Sequence, residues 1–310
     1  MPDDPFGALV TVDDPDDGRL AEYRDLDDPA LRRRREAADA IFVVEGRVAV
    51  RQILRSGYDV RSLLVDDHQA VAVADLVDAV RARGAPVYVG RRAVVAATVG
   101  FALHRGVVAI ARRPPGADPR QLVANARCTP SAGGTPPIVA VLEGVNDHEN
   151  IGALFRNAAA FGVAGVLLDP SCADPLYRRS VRVSVGHVLS VPFARLSPWP
   201  AALDEVRAAG FVVAALVPQP AASSPDRHLE PGTLQELAAR ARNPAQPVGA
   251  AGVAVLVGAE GHGLSAAGIA AADHVVSIPM APGIDSLNVA TAAAIAFYEL
   301  TRAHLPTNRN

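Results

Sequence analysis

The sequence predicts an α/β protein in two parts, and three observations carry that prediction. Short apolar runs alternate with Ala-rich stretches of helical period along most of the chain. The 310 residues are 50% hydrophobic and 20% charged, which is enough material for two separate cores. Residues 114–137, PPGADPRQLVANARCTPSAGGTPP, concentrate Pro, Gly and Ala between two better-patterned regions.

Taken in order, residues 1–30 are acidic, with nine Asp and few apolar side chains, and read as a mobile tail. Arg32 to Arg35 form a basic run with two readings, a solvated helix face or a phosphate contact. A first domain spans 31–113. IFVVE reads as a strand, Gly46 to Leu54 as a helix and RSLLVDD as a second strand. AVADLVDAVRARG reads as a helix ending at Gly84, PVYVG as a short strand, RRAVVAATVG as another helix and GVVAIARR as the closing strand. This small α/β sandwich carries no nucleophile–base pair and no metal cluster, which suits recognition better than catalysis. Residues 114–137 read as a linker with a single helical turn.

The second domain covers 138–310. IVAVLEG is a buried strand, and NIGALFRNAAAFG a helix with Asn150 near its cap and Gly162 at its end. VAGVLLD, GFVVAALVP, GVAVLVGAEG and ADHVVSIPM are further strands; LQELAARA and LNVATAAAIAFYEL are helices. Repeated strand–helix alternation predicts a mainly parallel sheet covered on both faces.

Charge and composition exclude several classes. All 30 basic residues are Arg. The net charge of −3 argues neither for nor against nucleic acid, because the acids cluster at the start and leave the remainder basic. Cys128 and Cys172 make no disulfide or metal framework, so the reducing cytoplasm is the expected setting. No signal peptide and no membrane span are expected. The dinucleotide G-x-G-x-x-G pattern, the phosphate-loop pattern, the G-x-S-x-G elbow and H-E-x-x-H are all missing. His148 and His262 flank two of the segments below but do not make a metal site. What remains is a nucleotide-like ligand held by loops, without metal or covalent chemistry.

Parallel sheets bind ligands beyond the carboxyl ends of their strands. Three segments occupy such positions: 143–162, 256–265 and 278–299. The first carries Asn150, Gly152, Arg156, Asn157 and Ala158; the second Gly258, Glu260, Gly263 and Leu264; the third Ile278, Pro279 and Met280, then Ser286, Leu287, Asn288, Val289 and Ala290. Together and in this order they resemble the three motifs of the SpoU (TrmH-like) RNA 2′-O-ribose methyltransferases of the SPOUT superfamily. The stretch 180–193 is also similar to the family segment between the first two motifs. Residues 40–112 resemble, more loosely, the L30e-like substrate-binding domain of many members.

The resemblance implies a C-terminal α/β knot, a trefoil that patterning alone would not suggest. It also implies a homodimer formed through the C-terminal domain, S-adenosyl-L-methionine as cofactor and transfer of its methyl group to a ribose 2′-hydroxyl of RNA, with rRNA favoured over tRNA. By position, Asn150, Arg156, Glu260, Ser286 and Asn288 are the catalytic candidates. Arg156 matches the family arginine associated with deprotonation, although a guanidinium is more easily an electrostatic clamp. Glu260 would orient Arg156 or an asparagine, and Ser286 would cap the last helix, position Arg156 or do both. Gly258, Ile278, Met280 and Leu287 match cofactor-holding positions; ordinary core packing is the competing reading.

Two departures stand out: Pro282 occupies the place where the family form has Gly, with Gly283 following, and Ala290 replaces a common Ser. For RNA contacts the candidates are Arg178, Arg179 and Arg182 between the motifs, and Arg47, Arg51, His104 and Arg105 in the first domain. The competing functions are a tRNA ribose methyltransferase and a noncatalytic RNA-binding or ribosome-assembly relative.

Overall fold

The computed structural model describes residues 9–103, 106–128, 136–218, 231–241 and 251–301. The chain divides into two compact units, Met1–Pro115 with Leu176–Ser190, and Gly116–Pro175 with Val191–Asn310.

The first unit contains β1 (Leu9–Val12), α1 (Pro29–Ala38), β2 (Ile41–Glu45), α2 (Arg47–Arg55), β3 (Val60–Asp66), α3 (Ala74–Arg81), β4 (Val87–Gly90), α4 (Arg92–Val99) and β5 (Val107–Arg112). The strands make one mixed sheet in the order β1-β4-β3-β5-β2. β5 runs antiparallel to β2 and β3, while β4 runs parallel to β1 and β3. The unbroken apolar runs of β2 and β5 are buried almost throughout, as expected of strands covered on both faces.

The expectation of a mobile tail over 1–30 is overturned from Leu9 onward. Val12, Leu20, Tyr23 and Leu26 are buried in the core of this unit. The acidic residues around them serve the backbone: Asp17 accepts from Arg19 N, and Asp28 accepts from Ala30 N and Leu31 N to cap α1. Net acidity had masked four well-spaced apolar side chains. The basic run at the start of α1 is also not uniform. Arg33 and Arg34 are exposed, but Arg32 is buried, with its guanidinium 4.6 Å from the centroid of the Tyr177 ring.

The second unit begins with α5 (Pro119–Cys128), β6 (Ile138–Glu143), α6 (His148–Ala160) and β7 (Gly165–Leu168). Residues 176–190, counted in the first unit, carry the short helix α7 (Arg178–Val183). Then follow β8 (Phe193–Arg195), α8 (Leu203–Ala208), β9 (Phe211–Leu216), β10 (Pro231–Thr233), α9 (Leu234–Ala241), β11 (Gly252–Gly258), α10 (Ala266–Ala270), β12 (His274–Ser277) and α11 (Val289–Thr301). The sheet order is β10-β12-β9-β11-β6-β7-β8, and every neighbouring pair is parallel.

The linker expected over 114–137 gives way to a ten-residue helix at its centre. Pro119 is the first residue of α5, a position where its missing N–H costs nothing, and Leu122, Val123 and Ala126 are buried in the core of the second unit. The Pro- and Gly-rich flanks concealed a short amphipathic helix. β11 is inserted between β6 and β9, so the carboxyl ends of β6, β9, β11 and β12 lie along one edge of the sheet.

Candidate functional site

The first segment enters α6 through a cap at Asp147, whose carboxylate accepts from Glu149 N at 2.6 Å and Asn150 N at 3.1 Å. Because Asp147 makes the cap, the Asn150 side chain is free to bond elsewhere, and its Oδ1 accepts from Asn288 Nδ2 at 2.9 Å. The last helix is capped in turn by Asn288, whose Oδ1 accepts from Ala290 N at 3.0 Å and Thr291 N at 3.1 Å. Capping therefore falls to Asn288, not to Ser286. With its oxygen committed to the helix, the amide nitrogen of Asn288 faces Asn150 and also donates to Glu260 Oε1. Of the two partners expected for Glu260, the structure provides the asparagine. Asn157 Nδ2 donates to Ala290 O at 2.9 Å and ties α6 to the start of α11.

The second segment forms a tight loop after β11. Gly263 N donates to Ala259 O at 3.0 Å, and the chain folds back directly over Gly258. A Cβ on Gly258 would lie 2.2 Å from Gly263 C and 2.3 Å from Leu264 N, so only glycine fits there. This loop and the third segment enclose a cavity of about 410 Å³. Gly258, Glu260, Ile278, Met280, Ser286, Leu287 and Asn288 line it, together with Leu216, Val217, Pro218, Leu264 and Ala292. All four expected cofactor-holding residues and three of the five catalytic candidates thus share one cavity, and Asn150 is joined to it through Asn288. Its walls are mixed, apolar at Ile278, Leu264 and Val217 and polar at Glu260, Ser286 and Asn288, as a nucleoside-bearing ligand requires.

Arg156 is not among the lining residues. It is exposed on α6, and among the described residues it has no hydrogen-bond or ion-pair partner. The structure does not join it to Glu260 or Ser286.

The RNA-contact candidates separate into two kinds. Arg178 is committed within the protein: its Nε and Nη2 donate to Glu45 Oε2 at 3.0 and 2.7 Å, Nη1 donates to Leu26 O at 3.1 Å, and the guanidinium lies 4.1 Å from the Phe101 ring centroid. This corrects the expectation of an open phosphate contact there. Arg179 and Arg182, with Pro29, Arg32, Tyr177 and Arg178, line a small pocket of about 180 Å³ in the first unit. Both Arg179 and Arg182 are exposed. Arg47 is exposed, and Arg51 pairs with Asp75 at the surface at 2.8 Å. His104 and Arg105 lie outside the described residues.

Sequence reasoning gave no part to the β9 end, Leu216 to Pro218, or to Glu143 at the end of β6. Each follows an apolar run at the carboxyl end of a parallel strand, which is the signal that marks them. Among the described residues no group of three His, Cys, Asp or Glu is placed to hold a metal, and no helix is long and apolar enough to cross a membrane. Cys172 is buried, and that burial holds its thiol well above the usual range; it serves packing rather than nucleophilic chemistry.

Comparison with known proteins agrees with this geometry. Residues 137–298 match the model of the SpoU rRNA Methylase family, and residues 43–116 match the model described as RNA 2′-O ribose methyltransferase substrate binding. The chain is 44% identical over 292 residues to an uncharacterized tRNA/rRNA methyltransferase of Mycobacterium bovis, covering 94% of this chain and 91% of that one. A second uncharacterized tRNA/rRNA methyltransferase, from Synechocystis, is 33% identical over 162 residues, 52% of each chain. Among solved structures, the AdoMet-bound rRNA methyltransferase of Sinorhizobium meliloti superposes with a TM-score of 0.72 at 23% identity, covering 96% of this chain and 100% of that one. The SpoU methyltransferase AviRb of Streptomyces viridochromogenes in complex with AdoMet gives 0.68 at 24% identity, covering 92% and 98%.

Proposed function

The chain belongs to the SpoU rRNA Methylase family, and from that premise we propose that it transfers the methyl group of S-adenosylmethionine to a ribose 2′-hydroxyl of RNA, with ribosomal RNA as the substrate. The observation that carries this reading is the cavity at the ends of β9, β11 and β12, where the second and third family motifs converge and Asn288 links both to the first.

The cavity suits the cofactor on its own terms. Gly258 lets the Gly263–Leu264 backbone fold over it and shape the cavity, Ile278 and Leu287 offer apolar faces to a purine, and Met280 extends the same wall. S-adenosylmethionine supplies an electrophilic methyl group. The protein's part is to hold the ribose hydroxyl in line and to accommodate the proton it loses. Glu260 and Asn288 offer the polar floor for that alignment, and Asn150 holds the Asn288 amide in place. Ser286, at the cavity wall, is a further hydroxyl for orienting the ribose. Arg156, exposed and without an internal partner among the described residues, is available to the RNA and acts as an electrostatic clamp on phosphate or on developing negative charge.

The reading extends to the architecture. Insertion of β11 between β6 and β9 supports the family's α/β knot, and the five-stranded mixed sheet supports an L30e-like substrate-binding domain. The first unit would choose the RNA through Arg47, Arg51, Arg179 and Arg182, and the second would hold cofactor and ribose. A homodimer through the second unit and a cytoplasmic setting complete the proposal.

The test is to incubate purified protein with labelled S-adenosylmethionine and separate rRNA and tRNA pools, then map 2′-O-methyl groups. Label in rRNA as a 2′-O-methyl is the expected result. Label confined to tRNA would reverse the substrate assignment, and label on a base would overturn the ribose chemistry.

A further inference from the structure

Glu143 is a buried carboxylate at the carboxyl end of β6, and the motif chemistry above makes no use of it. Its surroundings are unusually specific. In the β6–β11 ladder it pairs in register with Gly258, the residue from which the cofactor loop departs. Its side chain reaches the residue where that loop ends: Oε2 accepts from Ser265 N at 3.0 Å, and Oε1 accepts from Ser265 Oγ at 2.6 Å. One residue therefore holds both feet of the loop that lines the cavity and presents Glu260.

Two further features complete the clamp. Ser265 Oγ also accepts from Gly268 N at 2.9 Å, so the same hydroxyl caps α10 while donating to Glu143. A Cβ on Gly268 would lie 2.6 Å from Glu143 Oε2, so glycine makes room for the carboxylate. The third donor is Trp199 Nε1, at 2.7 Å from Oε1. Trp199 is the sole tryptophan of the chain, so its emission reports on this cluster alone.

We propose that Glu143 is a positioning residue for the cofactor, setting the shape of the Gly258–Leu264 loop through Ser265. Three donors converge on it, and a carboxylate, which only accepts, is the side chain that satisfies them all. Glutamine has the same length but turns an N–H toward one of those donors, which opens one foot of the loop without creating a cavity. The inference rests on the reading of the cavity as the S-adenosylmethionine site, and the experiment separates the two.

Full-length parent, E143Q and S265A are compared by calorimetric titration with S-adenosylmethionine, by steady-state methyl transfer, by thermal melting and by tryptophan emission. For E143Q the expected result is a rise of about tenfold in cofactor Kd and KM, with kcat at saturating cofactor little changed, as for loss of one charge-assisted hydrogen bond. Trp199 emission shifts in the cofactor-free protein. S265A, which keeps the backbone N–H contact, shows a smaller rise in the same direction and decides the matter if E143Q does not fold. Folded variants that bind cofactor as the parent does, or that lose kcat with KM unchanged, overturn the positioning role. A parent protein that does not bind S-adenosylmethionine overturns the cavity reading instead, and this inference with it.

Discussion

Asn288 Nδ2 lies 2.9 Å from Asn150 Oδ1, so a side-chain hydrogen bond joins the cap of α11 to the first turn of α6. The other end of the Asn288 amide caps α11, which fixes which atom faces which neighbour. Two substitutions separate capping from contact with the site. N288D keeps an oxygen for the cap but places a second carboxylate against Glu260. We predict that methyl transfer falls by about 100-fold while the melting temperature changes little. N288A removes both functions and should also lose about 1 kcal/mol of stability. Equal melting temperatures for the two variants would show that the cap is not made.

Arg156 invites the opposite test, because nothing in the described structure depends on it. We predict that R156A melts with the parent but loses transfer by about 100-fold or more, and that R156K recovers little of it. Lysine keeps the charge but lacks the planar fork that grips phosphate at two points. An R156A protein that transfers methyl groups at the parent rate would remove Arg156 from the site.

The two residues also mark what is legible in a sequence. The three segments can be picked out because each follows an apolar strand, and Asn150, Arg156, Gly258, Glu260 and Asn288 within them because they match the motifs of the family that the sequence resembles. Strands and helices of the second unit follow from unbroken apolar runs and Ala-rich periodicity. The role of Glu143 could not be read in this way, because its partners Trp199 and Ser265 lie 56 and 122 residues away. No local pattern encodes a carboxylate that accepts from so far along the chain. The helix α5 was hidden by its flanks, and the buried side chains between Val12 and Leu26 by the charge around them. In both, composition averaged over a window outweighed a few apolar side chains at the right spacing. The commitment of Arg178 to Glu45 is tertiary in the same sense, since a basic cluster reads alike whether its members face solvent or a buried acid.

Asp28 offers a pH test of the corrected N-terminal fold. Hydrogen bonds from Leu31 N and Ala30 N hold its carboxyl below the usual carboxylate value of 3.8. A carboxylate depressed in the folded state stabilises the protein above its unfolded pKa, and that contribution is lost as pH falls through the folded value. Acid melting should therefore show a component below about pH 4 that D28N lacks. Asparagine still caps a helix, so stability near neutral pH is predicted to stay close to the parent. An unchanged acid limb in D28N would mean that the carboxylate does not cap α1.

Arg178 and Arg182 stand one turn apart on α7 but are predicted to behave differently. Arg178 is largely shielded, as is Glu45, so truncating it leaves a buried carboxylate without its partner. Removing one member of such a pair costs about 3–5 kcal/mol. R178A should therefore melt well below the parent, and E45Q/R178M should recover part of the loss by removing both charges. Arg182 is exposed, and R182A should leave the melting temperature unchanged. If Arg182 neutralises one RNA phosphate, R182A weakens binding across sequences and lowers the magnitude of the slope of log K against log salt by about 1. A parent-like salt slope in R182A, with R178A as stable as the parent, would invert the two roles.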